Sequence, residues 1–590
     1  MATSHDLRLH LELVRLTRGI EGLRLAIADG VERLEVLGGV QQLGFPGVDA
    51  YARERLGRSG RWVGDARTLA RRLTGLPLLR EAYLSGRLST SKVELLARHL
   101  GRGDRSEDLD EEEAIALATS RTVRELRRRL GGREGDVADD ERRRWIQLTR
   151  HVDRIDGVAF EGAIRLMEAL GETTRSAAVE GLLAEGLTTL LNRSELAPDL
   201  VNRIAGSAPG TAAAPNDAAP DVATAEPDTD IGPGLQNDLA LEPELRTPTI
   251  GPAIVNVGRL DLELRALSAE LMRRDMRLGE LALEAECHGI AHTHGHRTVD
   301  GYYRDALGIA PSSMAARVAL ARRVRRLPRL KEAIEAGAIG FETSTLLARV
   351  ATPSSEAAWL ELADISTTKI FREHVDAAEL HARANGSPLG ALRPPTEVQL
   401  DEVRELERRV LTMVLANTTD APNDPNEAEP SATGPDTEPD TEPGPMSVSG
   451  SSDEATLGTI SLRLTLPDHL AAFWCDLEIL HADAGFPMGT FIAFLVASTL
   501  ATWRGVTKLP AYGDIYLRDR FRCQNPICRS RNCTPHHIVF RSRGGGDEPS
   551  NCISLCDRCH LSLVHGGHLT VTGHAPDALS WSARAYRVTA

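Results

Sequence analysis

The chain has 590 residues and a formal net charge of −15, and it is long enough for several domains with ordinary cores. Aromatic residues make up only 4% of it, while Leu, Ala, Arg and Glu dominate, which favours helix over sheet. The start, MATSHDLRLHLELVRL, lacks the apolar region of a secretory signal, and the longest apolar run, FIAFLVASTLATW, is too short to span a bilayer. These features argue against a secreted or membrane protein, and we expect a cytoplasmic one.

Two acidic tracts account for the negative charge. Residues 205–245 contain eight Asp or Glu and residues 417–456 contain ten, with no Lys or Arg in either tract. Removing these 18 acids from the total of 84 leaves 66 against 69 basic residues, so the remainder is slightly basic. Both tracts have too few apolar residues to offset the entropy cost of ordering. We therefore predict disordered acidic linkers at 205–252 and 417–456, which either solubilise the chain or compete with DNA for a basic site.

The helical part of the chain is duplicated with an offset of 251 residues. VDAYARERLG at 48–57 aligns with VDGYYRDALG at 299–308, and LPLLREAYLSGRL aligns with LPRLKEAIEAGAI at the same offset and without a gap. We predict two copies of one helical module, at 1–204 and 253–416.

The second copy contains a pattern associated with DNA binding. A turn at Gly308 is followed by a helix with a predicted cap at Ser312 and then by a Leu-Pro break. This order resembles the helix-turn-helix region of partition-type DNA-binding proteins, and also the helical domain of unassigned function that often precedes nuclease domains. Arg322 and Arg323 would then contact phosphates, because neutralising phosphates releases counterions. Alternatively these arginines are the solvated face of an amphipathic bundle, and the repeats are a platform for a protein partner.

A histidine-rich segment, CHGIAHTHGH, follows the first predicted helix of the second copy. With Cys287 it could form a metal site from His288, His292, His294 and His296. The first copy has other residue types at the matching positions, namely Leu37, Gln41, Leu43 and Phe45. The shared fold therefore does not require a metal here, and we expect a polar loop.

A third kind of segment follows the second linker. ISLRLTL at 460–466 alternates apolar and polar residues as a half-buried strand does, and helical stretches follow at 468–483 and 489–503. We interpret 457–510 as a strand-helix-helix lead-in to a terminal domain at 511–590.

The terminal domain is rich in cysteine. Six of the eight cysteines lie between Cys523 and Cys559, which is not the distribution of a disulfide framework. CQNPIC and CDRC supply four soft ligands for one structural Zn²⁺, namely Cys523, Cys528, Cys556 and Cys559. Cys533 competes with the first pair by its spacing from Cys528, but RNCTPHHIVF predicts a strand with Cys533 pointing inward. A closed four-thiolate site stabilises the fold and leaves no position for substrate.

The histidines of this domain suggest a second, open site. In TPHHIVFRSRGGGDEPSN, two adjacent histidines end a predicted strand, where neighbouring side chains project to opposite faces. His536 can therefore hold a metal while His537 faces a water. After a glycine-rich loop, Asn551 is predicted to open a short helix that carries His560 about two turns further on. Folding back of this helix would place His536 and His560 around one cation, with His537 beside it as general base.

The segment from about Tyr516 to Gly573 resembles an HNH endonuclease of the ββα-metal fold, on the pattern His-His, Asn, His interleaved with two cysteine pairs. The resemblance implies that His537 deprotonates the water that attacks phosphorus. It also implies a divalent cation, Mg²⁺ or another, on His536 and His560. Asn551 would tie the loop backbone so that the base points correctly.

Three further features of the segment bear on this resemblance. Arg541 and Arg543 would contact flanking phosphates, or they lie on a solvated hairpin edge. His565 follows His560 by five residues, whereas residues three or four apart share one face of an α-helix, so helix geometry disfavours His565 as a third ligand. Phe540 stands where many members of the family have proline.

Taken together, these patterns predict a mainly α protein with two duplicated helix-turn-helix-like modules, acidic linkers and a small zinc-stabilised ββα-metal HNH domain. The predicted function is metal-dependent cleavage of double-stranded DNA. The alternative is a non-catalytic, zinc-containing DNA-binding or regulatory protein. A zinc module needs the cysteines but gives no reason for the adjacent histidines and the asparagine, which favours the nuclease.

Overall fold

Helices form most of the chain that the computed structural model describes, which comprises residues 4–101, 109–130, 145–171, 174–191, 256–384, 392–416, 459–503 and 512–589. Both predicted linkers, 205–252 and 417–456, lie outside the described residues. The first part contains α1 (Ser4–Val36), α2 (Gly39–Gln42), α3 (Val48–Leu56), α4 (Gly60–Thr74), α5 (Pro77–Leu84), α6 (Thr90–Leu100), α7 (Glu111–Thr119), α8 (Val123–Leu130), β1 (Trp145–Asp153), α9 (Arg154–Gly171) and α10 (Arg175–Leu191).

The second part repeats this order of helices. It contains α11 (Val257–His288), α12 (Ile290–Thr293), α13 (Val299–Tyr302, continued by a π turn at Tyr303–Leu307), α14 (Pro311–Val324), α15 (Pro328–Glu335), α16 (Phe341–Val350), α17 (Glu356–Ile365), α18 (Thr368–Ala384) and α19 (Glu397–Ala416). The pairs α3 and α13, α4 and α14, α5 and α15, and α6 and α16 each begin 251 positions apart. The helix boundaries thus agree with the duplication found in the sequence.

Local sequence signals set the helix ends. Gly57 and Gly308 end α3 and the α13 turn in the left-handed conformation, at φ values of 59° and 72°, as the Leu-Gly pattern predicts. The predicted cap at Ser312 is wrong, because α14 begins one residue earlier at Pro311, whose fixed φ suits the first helical position.

The two copies pack against each other as an intramolecular pair. The long helices α1 and α11 lie together in one apolar core. The Tyr51 hydroxyl donates to Asp261 Oδ1 at 3.1 Å, and the Tyr302 hydroxyl is hydrogen-bonded to His10 Nδ1 at 3.0 Å. Tyr302 and Asp261 lie 251 positions after Tyr51 and His10, so the tyrosine of each copy contacts the long helix of the other. The copies are therefore related by an approximate two-fold axis.

Glycines allow the two backbones to cross closely at a second contact between the copies. A Cβ atom built on Gly57 would lie 2.4 Å from Gly340 Cα, and the amide of Glu342 donates to the Gly57 carbonyl at 3.1 Å. At the related position of the other copy, a Cβ on Gly308 would lie 2.4 Å from Ser89 Cβ. The Leu-Gly turns are thus part of the interface between the copies.

Strand β2 (Thr459–Pro467), α20 (Asp468–Asp483) and α21 (Phe491–Trp503) follow the second linker. The strand and two helices occur as the sequence predicts, but they pack against their counterparts after the first copy. β2 pairs antiparallel with β1, so that Thr149 lies opposite Arg463, and α9, α10, α20 and α21 share one apolar core with both strands. The segment interpreted as a lead-in at 457–510 therefore completes a two-strand, four-helix unit with residues 145–191.

The terminal region contains α22 (Gly513–Arg518), β3 (Thr534–His537), β4 (Cys552–Leu555), a π-helix (Arg558–Val564), β5 (Leu569–His574), β6 (Ala578–Ala583) and β7 (Arg587–Thr589). β3 pairs antiparallel with β4, with His536 opposite Ile553 and His537 opposite Cys552. The predicted helix start at Asn551 is wrong. Asn551 ends a short 3₁₀ turn, and the four residues after it are buried and form β4, because Ile553 and Leu555 pack into the apolar core of this domain.

The terminal region is docked on both copies. The Tyr586 hydroxyl donates to the Gly44 carbonyl at 3.1 Å in the first copy. In the second copy, Lys369 Nζ donates to the Cys523 carbonyl at 2.8 Å. None of the helices in the described ranges combines the length and apolar composition that crossing a bilayer requires.

Candidate functional site

Four cysteines converge where the start of the terminal region meets the loop after β4. The Sγ atoms of the predicted set all lie within 4.8 Å of one another, namely Cys523, Cys528, Cys556 and Cys559. The Sγ atoms of Cys528 and Cys556 are 3.7 Å apart. Cys533 is half-buried outside this cluster, with its Sγ 3.8 Å from the Ser530 carbonyl. The competing ligand set with Cys533 is therefore not assembled.

The environment of the four thiols suits a bound cation. Burial raises the pKa of Cys523 to about 12, so a thiolate at this position needs a neighbouring positive charge. The Asn525 side-chain amide donates to Cys559 Sγ at 3.3 Å, and the Ser530 amide donates to Cys528 Sγ at 3.5 Å. Such N–H donors stabilise thiolate ligands, which fits a tetrahedral Zn²⁺ site.

Three histidines form a second cluster. The ring nitrogens of His536, His560 and His565 that could bind an ion all lie within 4.8 Å of one another. His536 is only 1% exposed, and its buried Nε2 has no hydrogen-bond partner within the described part of the chain. Burial, then the neighbouring His560 and His565, lower the pKa of His536 to about 3, which keeps its lone pair free at neutral pH. An orphaned, buried and neutral imidazole is the donor that a divalent cation would satisfy.

The π-helix explains why His565 joins this cluster. The His565 amide donates to the His560 carbonyl at 3.0 Å, a bond that spans five residues. A π-helix brings residues five apart onto one face, so the expectation that helix geometry disfavours His565 as a ligand, which rests on the three- and four-residue spacing of an α-helix, is wrong. The ring centroids of His560 and His565 are 4.9 Å apart. The signal available in the sequence was the second histidine itself, but nothing in the spacing indicated a π-helix.

Thr534 and Phe540 hold the histidine rings in place. The Thr534 hydroxyl lies 3.0 Å from His560 Nδ1 and 3.4 Å from the Leu555 carbonyl. If the hydroxyl donates to this carbonyl, it accepts from Nδ1–H of His560, which leaves Nε2 of that ring for an ion. Phe540 stacks on His565 with 5.2 Å between ring centroids. Sequence reasoning missed the role of Thr534, because a threonine two residues before His536 has no distinctive spacing.

Asn551 crosses the loop between β3 and β4. Its Oδ1 accepts from the Val539 amide at 2.8 Å, and its Nδ2 donates to the carbonyls of Val539 at 3.2 Å and Gly546 at 2.8 Å. Gly545 allows this crossing, since a Cβ atom there would lie 1.8 Å from the Val539 carbonyl oxygen. The Ile538 amide also donates to the Asn551 carbonyl at 2.8 Å. These contacts fix the residues directly after His537.

His537 lies in a polar network on the other face of β3. Its Nε2–H donates to Asp547 Oδ1 at 2.7 Å, and the Tyr512 hydroxyl donates to the same oxygen at 3.0 Å. Arg541 Nη2 is also hydrogen-bonded to this oxygen and donates to Tyr512 at 2.6 Å. The Arg541 guanidinium, together with His537 and Tyr512, holds the pKa of Asp547 well below its usual range. Sequence reasoning missed Asp547 and Tyr512, which lie 10 and 25 residues from His537.

The predicted DNA-contacting arginines fall into two places. Arg541 and Arg543 follow β3 and are exposed, with the Arg543 guanidinium 5.3 Å from the Phe540 ring centroid. Arg322 and Arg323 are exposed on α14, and Arg322 pairs with Glu286 at 2.7 Å. The structure thus brings Arg541 to the His537 network and leaves the α14 pair on the surface of the second copy.

The histidine-rich segment of the second copy is only partly a polar loop. His292 is exposed, whereas His294 stacks on His10 of the first copy with 4.2 Å between ring centroids. His288 lies beside His5 and Glu284, and their potential ligand atoms lie within 4.8 Å of one another on an exposed surface. The segment belongs to the interface between the copies.

A two-stranded hairpin with adjacent histidines, an asparagine-tied loop and a following helix with further histidines form the arrangement of the ββα-metal fold. The family model of the HNH endonucleases matches residues 521–565. The chain therefore carries an HNH endonuclease domain near its C-terminus, preceded by helical copies. No curated protein and no solved structure matches the chain.

Proposed function

We propose that the protein is a metal-dependent endonuclease that hydrolyses phosphodiester bonds in double-stranded DNA, with His537 as general base. The observation that supports this proposal most directly is that His536 and His537 lie on opposite faces of β3. His536 presents a buried, unpartnered nitrogen to His560 and His565 on one face. His537 presents its ring to exposed polar groups on the other.

In this proposal His536 and His560, joined by His565, hold one divalent cation, Mg²⁺ or another. When bound, this cation supplies Lewis-acid stabilisation of the charge that develops on the phosphate and on the leaving oxygen. The chain supplies neutral imidazoles for it, because burial lowers the pKa values of both His536 and His560. The four cysteines hold a structural Zn²⁺ that keeps the loop after β4 against the start of the domain.

The Asp547 network suggests where the attacking water or a substrate oxygen lies. Three donors converge on Asp547 Oδ1, from His537, Tyr512 and Arg541. The Asp547 side chain is 59% exposed and is free to leave when substrate enters. An oxygen that takes its place would lie at His537 Nε2, and in the tautomer that carries the ring proton on Nδ1 this nitrogen accepts the proton from water. Arg541 would exchange Asp547 for a phosphate, with Arg543 on the next phosphate.

Arg322 and Arg323 are proposed to contact the DNA backbone outside the cleaved site. Both are exposed on α14, which begins just after the Leu-Gly turn of the second copy. Their contribution would be independent of DNA sequence and would weaken with rising salt.

Cleavage of plasmid DNA by the full-length protein in Mg²⁺ or Mn²⁺ tests this proposal. Wild type should nick or cut, and His537→Ala should lower the rate by about 10²–10⁴-fold, the usual contribution of a general base. His574→Ala is a matched control, because His574 is exposed on β5 of the same domain. Zinc content and melting temperature should be unchanged in both variants. Equal cutting by His537→Ala would refute the base, and DNA binding without cutting by wild type would favour the non-catalytic alternative.

A further inference from the structure

A cavity of about 790 Å³ lies between the helical copies, the two-strand unit and the start of the terminal region. Its wall includes Arg53 from α3, Arg372 from α18, Arg463 from β2 and Arg529 from the segment that carries the cysteines. None of the histidines of the candidate active site lines it. The cavity is therefore a separate feature, and what it binds goes beyond the proposed nuclease function.

The cavity carries a surplus of positive charge. Eleven arginines line it, against six Asp or Glu. Several of these arginines are neutralised, as in the pairs of Arg520 with Glu407 at 2.7 Å and Arg531 with Glu161 at 2.9 Å. Of the five positive charges in excess, Arg165 and Arg404 pair with Glu168 and Asp401 outside the wall, so three remain without a matching carboxylate. Converging arginines in a partly enclosed space are a recognition surface for a polyanion.

Unpartnered donors show where such an anion would bind. Arg53 Nε and Arg529 Nη2 are buried and have no hydrogen-bond partner among the described residues. Burial lowers the pKa of Arg529, as do the charges of Arg372 and Arg53, although Glu342 opposes the shift. Arg53 and Arg463 form no close ion pair with any residue that the structure describes, and burial raises the pKa of the nearby Glu54 carboxyl overall, although the charges of Arg53 and Arg529 lower it. An anion at this place would satisfy the free donors and relieve the repulsion between the guanidinium groups.

The rest of the wall limits the kind of anion. Apolar side chains also line the cavity, among them Val158, Leu400 and Phe521. Its volume lies within the range of about 300–1,000 Å³ that is typical of small-molecule sites. We propose that the cavity binds a nucleoside polyphosphate, with its phosphates on the arginines and its base against the apolar wall near Phe521.

Isothermal titration calorimetry of the full-length protein at low salt, without added Mg²⁺, tests this inference. The titrants are ATP, inorganic tripolyphosphate and adenosine. We expect ATP to bind most tightly, tripolyphosphate more weakly and adenosine least. The measurement does not depend on cleavage, so its failure and a failure of the proposed nuclease function are distinguishable.

Two variants test whether ATP binds in the cavity. Arg53→Gln and Arg463→Gln should each weaken ATP binding at least about tenfold, since each removes a charge that contacts a phosphate. Arg463→Gln should leave the melting temperature of the unliganded protein unchanged, because Arg463 has no ion pair to lose within the described part of the chain. Arg304→Gln changes an exposed arginine outside the cavity and should bind ATP like wild type.

Two results would overturn the inference. If ATP gives no heat, or if both cavity variants bind ATP as tightly as wild type, the cavity does not bind it. If tripolyphosphate binds as tightly as ATP, the base contributes nothing and the assignment of a nucleoside is wrong.

Discussion

Asn551 offers the sharpest test of how the loop positions the candidate active site. Its side chain makes three hydrogen bonds across the loop, one as acceptor from the Val539 amide and two as donor to the carbonyls of Val539 and Gly546. Asn551→Asp keeps the acceptor and replaces the two donated bonds by a charged oxygen facing two carbonyl oxygens. The substitution is nearly isosteric, so its effect is electrostatic and not a loss of packing.

The magnitude follows from the two lost bonds. At a net value of about 1 kcal/mol each, they remove roughly 2 kcal/mol of loop stabilisation, before any repulsion between the oxygens. This corresponds to about a thirtyfold smaller population of the ordered loop relative to open forms. Because His537 directly precedes this loop, we expect cleavage to slow by up to about thirtyfold, with zinc content unchanged.

Single-turnover cleavage measures the rate of the reaction, and amide hydrogen exchange measures how ordered the loop is. Gly545→Ala should give the same pair of effects by another route, since its Cβ would lie 1.8 Å from the Val539 carbonyl oxygen. Asn532→Asp introduces the same charge at an exposed position of the domain and is the control. If Asn551→Asp cleaves at the wild-type rate although the Val539 amide exchanges faster than in wild type, cleavage does not depend on the order of the loop.

Three further predictions concern the fold. In thermal unfolding, Gly57→Ala should lower the melting temperature most, because it combines a left-handed φ with a Cβ 2.4 Å from Gly340 Cα. Gly340→Ala introduces only the clash. Gly289→Ala introduces only the φ strain, which costs about 1 kcal/mol. Equal shifts for all three would show that the crossing is not tight. Burial lowers the pKa of His10 to about 4, so between about pH 6.5 and 4 the unfolded chain binds a proton that the folded chain does not. The free energy of unfolding therefore decreases as the pH is lowered through this range, by at most roughly 3 kcal/mol. Calorimetric melts of His10→Gln should show a flatter dependence on pH than wild type, and an identical slope would contradict the assignment. Cys556→Ser should remove one equivalent of bound zinc and lower the melting temperature of the terminal domain, so unchanged metal analysis and melting would count against the structural site.

The candidate site could be predicted from sequence wherever short-range spacing determines which side chains meet. Adjacent positions on a strand face opposite ways, which correctly separated His536 from His537 on β3. The start of β4 was misassigned to a helix, because a run of four buried residues after Asn551 is too short for its periodicity to decide. Asp547 was not predicted, since its contact with His537 depends on how the glycine-rich loop folds back.

The arrangement of the copies was beyond sequence reasoning for a different reason. The offset of 251 identified equivalent residues but not their partners, and each tyrosine contacts the opposite copy. Such pairings depend on how the two long helices meet, which no local pattern encodes. The same limit applies to the pairing of β1 with β2, because the whole second copy and both linkers lie between these strands in the sequence.

The two copies are related by an approximate two-fold axis, but the terminal region covers one turn in only one of them. This asymmetry explains why the copies differ at this turn. Gly44 of the first copy is covered by the terminal region, since a Cβ atom there would lie 2.3 Å from Ala583 Cβ. Its equivalent in the second copy, Gly295, has nothing within 4 Å of the same point. The covered turn is flanked by Leu43 and Phe45, and the uncovered one by histidines at the matching positions.

Both flanking rings nevertheless keep one geometry. Phe45 meets Tyr51 edge to face at 5.4 Å, and His296 meets Tyr302 edge to face at 5.5 Å. Each copy therefore has an aromatic ring packed against its tyrosine. The ring is apolar Phe45 where the turn is covered and polar His296 where it is more exposed to solvent. The histidine-rich segment that suggested a metal site thus lies at the turn that the described part of the terminal region does not cover.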